Sequence, residues 1–330
     1  MNILMMTNTY KPILGGLERS VEGFAKKFRE KGHRVIIVAP KDRRAKPEKD
    51  VIRIPAIQQF NGTDFGLQIP VPGVLTEALG DWKPDIVHSE HPFMIGDTAL
   101  RLAHKFNVPL VFTHHTLYEQ NTHYVPGDSE AMKKFVIQLA TGYANLAETT
   151  FAPSESVMNL MRERGVITNV QVVPTGLDEI HFKSVRNGER IRKKAGIPAG
   201  AFVVGHLGRL APEKNLEFVA KAVAAFLAKR PDAHFLVVGK GPSEDALKAT
   251  FKSSGGGDRL HMPGPMGGKD LLDAYAAMDV FAFASQSETQ GLVLTEAMAA
   301  GVPVVGVDAP GTRDVVKDKV NGRLLAEESA

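Results

Sequence analysis

The sequence contains no cysteine, so neither a disulfide nor a thiolate metal site can form, a composition that suits the cytosol. No apolar window approaches about 18 residues, which leaves nothing to span a membrane as a helix. The N-terminus, MNILMMTNTY, is a short apolar run with no basic region ahead of it, and it reads as a buried first strand, not a secretory leader. G-x-G-x-x-G is missing from both places where a first strand should turn into a helix, which argues against a nicotinamide enzyme. D-x-D is missing as well, so the carboxylate pair that would fix a divalent cation on a diphosphate is not there. No metal and no cofactor are expected, and nothing points to a nucleic-acid partner.

What is present is ordinary for a globular protein: 43% hydrophobic and 23% charged residues over a length of 330, long for one domain and comfortable for two. The charge is uneven. Between Lys11 and Arg53 there are 13 Lys/Arg against 6 Asp/Glu, a local +7, whereas the whole chain is +3 and the remainder therefore −4. A basic region of this kind suits either a solvated helix face or an anionic membrane surface.

Apolar runs and helical periodicities alternate along the chain. Strands are expected at Asn2–Met6, Arg34–Ala39, Ile52–Ile54, Asp85–His88, Pro109–Thr113, Thr149–Ala152 and Val170–Val173, with helices between them, the longest near Ser129–Leu146. Thr175–Gly200, rich in glycine and charge, reads as a linker. The pattern then restarts with strands at Phe202–His206, Ala233–Val238, Leu260–Met262, Val280–Ala284 and Val302–Val305. The expected fold is α/β, with two Rossmann-like, doubly wound parallel-sheet domains, 1–180 and 181–330, facing a cleft with their strand C-terminal ends.

The most informative stretch is SETQGLVLTEAMAAGVPVV, Ser287–Val305. Glu288 precedes a loop glycine, Gly291, and Glu296 lies one turn into the helix that follows, so both carboxylates can reach one ligand. The N–H groups of Gly291, Leu292 and Val293 would open that helix without partners, a ready site for phosphate. Carboxylates beside phosphate are repelled by it unless they bind hydroxyls, which they accept well. The stretch therefore reads as a nucleotide-sugar site. GRLAPEKN supplies Gly208, Arg209 and Lys214 just past a strand end, with Lys214 expected to begin a helix, and two cations there can neutralise a diphosphate leaving group. Gly15 and Gly16, ahead of another helix, let the backbone approach a ligand closely. His114 and His115 end a strand in FTHHT. As adjacent strand residues they point opposite ways, and no further ligands have the right spacing, which disfavours zinc.

E-x7-E with its internal glycine, followed by EAMAAGVPVV, resembles the retaining glycosyltransferases of the GT4 family, of GT-B fold. The resemblance covers the whole chain. It implies that Arg209, Lys214 and the Gly15-Gly16 loop hold the donor diphosphate, that His115 bonds the sugar or the acceptor, and that Glu288 meets the sugar and Glu296 the ribose. Gly208, Met266, Gly291, Leu292 and Val293 complete the donor-binding set. HTLYEQNTHY (His115–Tyr124) and ETQGL (Glu288–Leu292) are similar to the bacterial diacylglycerol glucosyltransferase branch, which implies UDP-glucose as donor substrate and a membrane lipid as acceptor. A cytoplasmic enzyme, peripheral on the inner face of the membrane, is then expected; a soluble or polysaccharide acceptor, a nucleotide-sugar epimerase and a non-catalytic sugar binder are the alternatives. Family members usually continue to a helix that crosses back onto the first domain, and here the sequence stops at NGRLLAEESA, so either the chain is truncated or that closing element is missing.

Overall fold

The computed structural model describes residues 1–13, 15–57, 67–68, 73–124, 127–178, 183 and 185–328, with the backbone alone at 67, 68 and 124. The chain forms two compact units, Met1–Gly176 and Leu177–Ala330. The expected border between residues 180 and 181 lies outside the described residues, as does Leu14 of the Gly15-Gly16 loop.

The first unit is built on a seven-stranded sheet of order β3-β2-β1-β6-β7-β8-β9, parallel throughout. Its strands are β1 (Asn2–Met6), β2 (Arg34–Pro40), β3 (Val51–Ile54), β6 (Ile86–Ser89), β7 (Leu110–Thr113), β8 (Thr149–Ala152) and β9 (Asn169–Val172). A small antiparallel pair, β4 (Ala56–Ile57) and β5 (Leu67–Gln68), stands apart from it. Because successive strand residues face opposite sides, Leu4 and Met6 enter one core layer with Val87 and Phe112. Ile3 and Met5 enter the other with Val21 and Ala25 of the helix Gly16–Glu30. Burial on both faces is why β1 reads as a continuous apolar run.

The second unit carries a six-stranded parallel sheet of order β12-β11-β10-β13-β14-β15. These are β10 (Phe202–Leu207), β11 (Ala233–Val238), β12 (Leu260–His261), β13 (Val280–Phe283), β14 (Val304–Val307) and β15 (Gly322–Leu325). In each sheet the direction of winding reverses once, between β1 and β6 and between β10 and β13. Ligands of open α/β sheets bind outside the strand ends at such reversals.

Several boundaries differ from expectation. The stretch taken as linker contains a helix, Gly188–Lys194, capped by Asn187, whose side chain accepts from Arg190 N–H. It docks on the helix Gly268–Ala276: Asn187 N–H donates to buried Asp273 at 2.7 Å, and Arg190 pairs with the same carboxylate at 2.7 Å. The strand expected from Val302 begins at Val304, because Pro303 has no N–H to donate and enters the sheet only through its carbonyl, which accepts from Phe281. Lys214 does not begin a helix. It closes a short 3-10 turn, Pro212–Lys214, and Asn215 in left-handed conformation (φ 53°) separates it from the helix Leu216–Lys229.

Candidate active site

In the second unit, the loops leaving β10 and β13 meet at the winding reversal. Ser285 and Ser287 hydroxyls both donate to Glu213 O, at 3.3 and 3.2 Å, tying the 3-10 turn to the loop after β13. That tie sets Lys214 against Glu288: Nζ donates to Oε1 at 2.5 Å, with both side chains largely buried. Residues 74 positions apart in sequence thus form one ion pair. Gly208 and Arg209 follow β10 directly. Gly208 adopts a positive φ of 151°, and its carbonyl passes so close to Gly239 that a Cβ there would sit 1.9 Å from it.

Gly291 takes the left-handed conformation (φ 73°, ψ 43°) and caps the helix Leu292–Ala299. Carbonyls accept the helix's later N–H groups, but none among the described residues accepts from Gly291, Leu292 or Val293. Leu292 and Val293 are half-buried, and Met266 packs against the apolar cluster that contains Leu294. Glu296 is 2% exposed, and the buried Tyr275 hydroxyl donates to its Oε2 at 2.6 Å. His206, near the end of β10, donates its Nδ1–H to Ala282 O (3.1 Å), and burial lowers its pKa to about 4, so it is neutral at physiological pH.

In the first unit, Gly15 caps the helix that begins at Gly16, in extended and not left-handed conformation. Its lack of a side chain accommodates Glu18, whose Oε2 would lie 2.5 Å from a Cβ at Gly15. Glu18 is buried, accepts from the Thr9 hydroxyl, and is raised above the ordinary carboxylate range by burial, partly offset by that hydrogen bond. The helix end expected to be open for phosphate therefore holds a carboxyl of its own. His115 follows β7, and its Nε2 donates to Oε2 of Glu90 at 2.6 Å. Burial lowers the pKa of His114 to about 3, and no group of three or more candidate metal ligands occurs among the described residues.

The sequence reading overlooked Glu18, Glu90 and Tyr275. Glu90 carried a usable signal, since a carboxylate directly after a strand stands at that strand's C-terminal end, here beside the winding reversal of the first sheet. Tyr275 carried none, because an apolar helix position gives no sign of a hydroxyl contact 21 residues on.

Two family descriptions match the chain: Glycosyltransferase Family 4 over residues 14–180 and Glycosyl transferases group 1 over residues 187–330. The chain is 28% identical over 334 residues to an alpha-monoglucosyldiacylglycerol synthase of Streptococcus pneumoniae, covering 99% of this chain and 76% of that protein. It is 31% identical over 338 residues to a GDP-mannose-dependent alpha-mannosyltransferase of Mycolicibacterium smegmatis, covering 98% and 84%. Among solved structures, Anabaena HepE in complex with UDP-glucose superposes with a TM-score of 0.78 at 22% identity, covering 99% of this chain and 86% of that one.

Proposed function

The chain belongs to glycosyltransferase family 4, and from that premise we propose that it transfers glucose from UDP-glucose to a diacylglycerol-type lipid with retention of configuration. It is a hexosyltransferase of GT-B fold that uses a nucleotide sugar as substrate. The observation that carries the reading is the Lys214–Glu288 pair at the winding reversal of the second sheet. A glucosyl donor and a lipid acceptor are supported by the similarity to the Streptococcus pneumoniae synthase.

In this reading the second unit, with Gly208 and Met266 in its lining, holds the donor. An ammonium has three donors, so Lys214 keeps Glu288 while offering a further N–H to the diphosphate. Arg209 and the N–H groups of Gly291, Leu292 and Val293 meet the same charge as it develops on the leaving group. Glu288, oriented by Lys214, accepts hydroxyls of the sugar. Glu296, oriented by the Tyr275 hydroxyl, accepts from the ribose. In the first unit, His115 bonds the sugar, and the Gly15-Gly16 backbone approaches the donor. The acceptor hydroxyl attacks on the face the diphosphate leaves, so positioning and leaving-group stabilisation carry the rate.

Incubation with UDP-glucose and diacylglycerol dispersed in detergent, followed by isolation of the lipid, tests the reading; an α-glucosyl diacylglycerol is expected. The similarity to the Mycolicibacterium enzyme favours one second reading, transfer of mannose from GDP-mannose. A parallel incubation with that donor separates the two. Hydrolysis of both donors without lipid product would refute the lipid acceptor.

A further inference from the structure

His91 stands two residues past β6, beside the winding reversal of the first sheet, in a loop whose parts are tied to one another. The Ser89 hydroxyl donates to His91 O at 2.8 Å, and a Cβ at Gly96 would lie 2.3 Å from the same carbonyl. Asn8, in the loop after β1, holds it from the other side. Its Nδ2 donates to Phe93 O at 3.0 Å, and its backbone N–H donates to His91 Nδ1 at 3.1 Å. Both the backbone and the ring of His91 are therefore fixed. A backbone N–H can only donate, so Nδ1 is the accepting nitrogen and bears no proton. A neutral imidazole keeps one proton, which then belongs to Nε2. Burial lowers the pKa of His91 to about 3, so the ring is neutral at physiological pH. Nε2–H has no partner among the described residues and, unlike Nδ1 of His114, is not sealed from solvent.

Ligands of open α/β sheets bind at such a reversal, and charge and polarity decide what this donor can receive there. Glu90, the preceding residue, is completely buried. Burial pushes its carboxyl up, but His88 and the His115 bond outweigh it and hold the group below the usual carboxylate range, so it is an anion at neutral pH. An anionic ligand group would be repelled by it. The attacking hydroxyl of an acceptor is equally unsuited, because an N–H donated to its oxygen ties up an electron pair needed for attack. What remains is a neutral oxygen that only accepts. We propose that His91 is a binding residue for the acceptor, its Nε2–H donating to a carbonyl oxygen of the acyl esters of a diacylglycerol. This rests on the lipid acceptor of the preceding reading and adds to it the atom that the first unit recognises. The donor is permanent, since the Asn8 bond excludes the other neutral tautomer. One such polar contact orients a ligand that is otherwise apolar.

The first test needs no turnover. Long-range proton–nitrogen spectra of protein labelled at histidine, with His91 assigned by its loss in His91→Gln, report the tautomer. The wild type is expected to show His91 as Nε2–H alone at neutral pH. An imidazolium or an Nδ1–H ring there overturns the proposal, and this spectrum needs no variant that might fail to fold beyond the assignment. The second test compares two acceptors in mixed micelles with UDP-glucose: diacylglycerol, and the dialkylglycerol whose ether oxygens replace the esters. The wild type is expected to favour the ester lipid about tenfold in KM, the scale of one neutral hydrogen bond. His91→Phe, which keeps a ring and removes the donor, is expected to lose that preference. His91→Gln, which keeps an N–H, is expected to retain part of it. The ratio of the two lipids within one protein is unmoved by general damage to the fold. Transfer to both lipids with the same ratio in wild type and His91→Phe overturns the ester contact and leaves the lipid acceptor standing. Transfer to neither lipid by the wild type refutes the lipid acceptor, and the ester contact falls with it.

Discussion

An ammonium and a carboxylate 2.5 Å apart neutralise one another, and at Lys214 and Glu288 this makes a partly buried charge pair tolerable before any substrate arrives. Lys214→Ala removes a cation from the diphosphate position and leaves Glu288 unbalanced; turnover at saturating donor is expected to fall about 100-fold, the scale for one preorganised donor to developing charge. The two carboxylates of the motif should separate in their effects. Glu296→Gln is expected to weaken UDP itself by calorimetry, whereas Glu288→Gln spares UDP and slows transfer, and equal weakening of UDP by both would refute that division. Glu18 makes a different kind of prediction. Its pKa is raised by burial, against the pull of the Thr9 hydrogen bond. A carboxyl whose folded pKa lies above its unfolded value gives stability that is full below the unfolded pKa and is lost as pH rises through the folded one. Glu18→Gln should thus flatten the decline in unfolding free energy above the ordinary carboxylate range and leave the variant more stable than the wild type at neutral pH. Denaturant titrations across that range check both, and an identical pH dependence in the two proteins refutes the assignment.

At the scale of elements, the loop after β10 depends on a residue in the next strand connection. Gly239 has φ 155°, and a Cβ there would lie 1.9 Å from Gly208 O, a backbone atom that cannot turn aside. Gly239→Ala is expected to cost about 1–3 kcal/mol or more in denaturant unfolding, the scale of imposed backbone strain, and to displace Gly208 and Arg209. Gly23→Ala provides the contrast. It sits inside the helix Gly16–Glu30 with open space around it, and should gain about 0.5–1 kcal/mol. Equal losses in the two would mean that crowding is not the cause. The same distinction between local and distant causes governs what was legible in the sequence. The strands of both sheets were, apart from β15 at one edge, because residues buried on two faces leave apolar runs such as ILMM in β1 and FLVV in β11. The helix Gly188–Lys194 was not, since its anchor, Asp273, lies 83 residues beyond Arg190. The loop, cap and helix of the Glu288–Gly291–Glu296 segment were legible because they are local. The Glu90–His115 contact was not, because only the pairing of β6 with β7 brings residues 25 apart together.

The whole molecule divides its charge unequally, +7 between Lys11 and Arg53 against −4 for all other residues. Three of the acids already counted in that +7 are held in ion pairs, Lys11 with Glu22 at 2.5 Å, Lys27 with Glu30 at 2.7 Å and Arg44 with Asp42 at 2.8 Å, which leaves the net excess as it is. Lys41, Arg43, Arg44, Lys46 and Lys49 nevertheless remain exposed along one connection between β2 and β3. Among the described residues no helix is long and apolar enough to cross a membrane. Each cation near an anionic leaflet contributes about 1 kcal/mol, and the attraction fades beyond ~8 Å at physiological salt. Sedimentation with vesicles containing acidic lipid is therefore expected, with little on neutral vesicles and release as salt rises. Charge reversal at Arg43, Arg44 and Lys46 together should weaken vesicle binding while leaving UDP affinity intact, because all three lie in the first unit and the proposed nucleotide contacts of Glu296 lie in the second. Equal binding to neutral and acidic vesicles, or none to either, would remove the electrostatic attachment and favour a soluble acceptor.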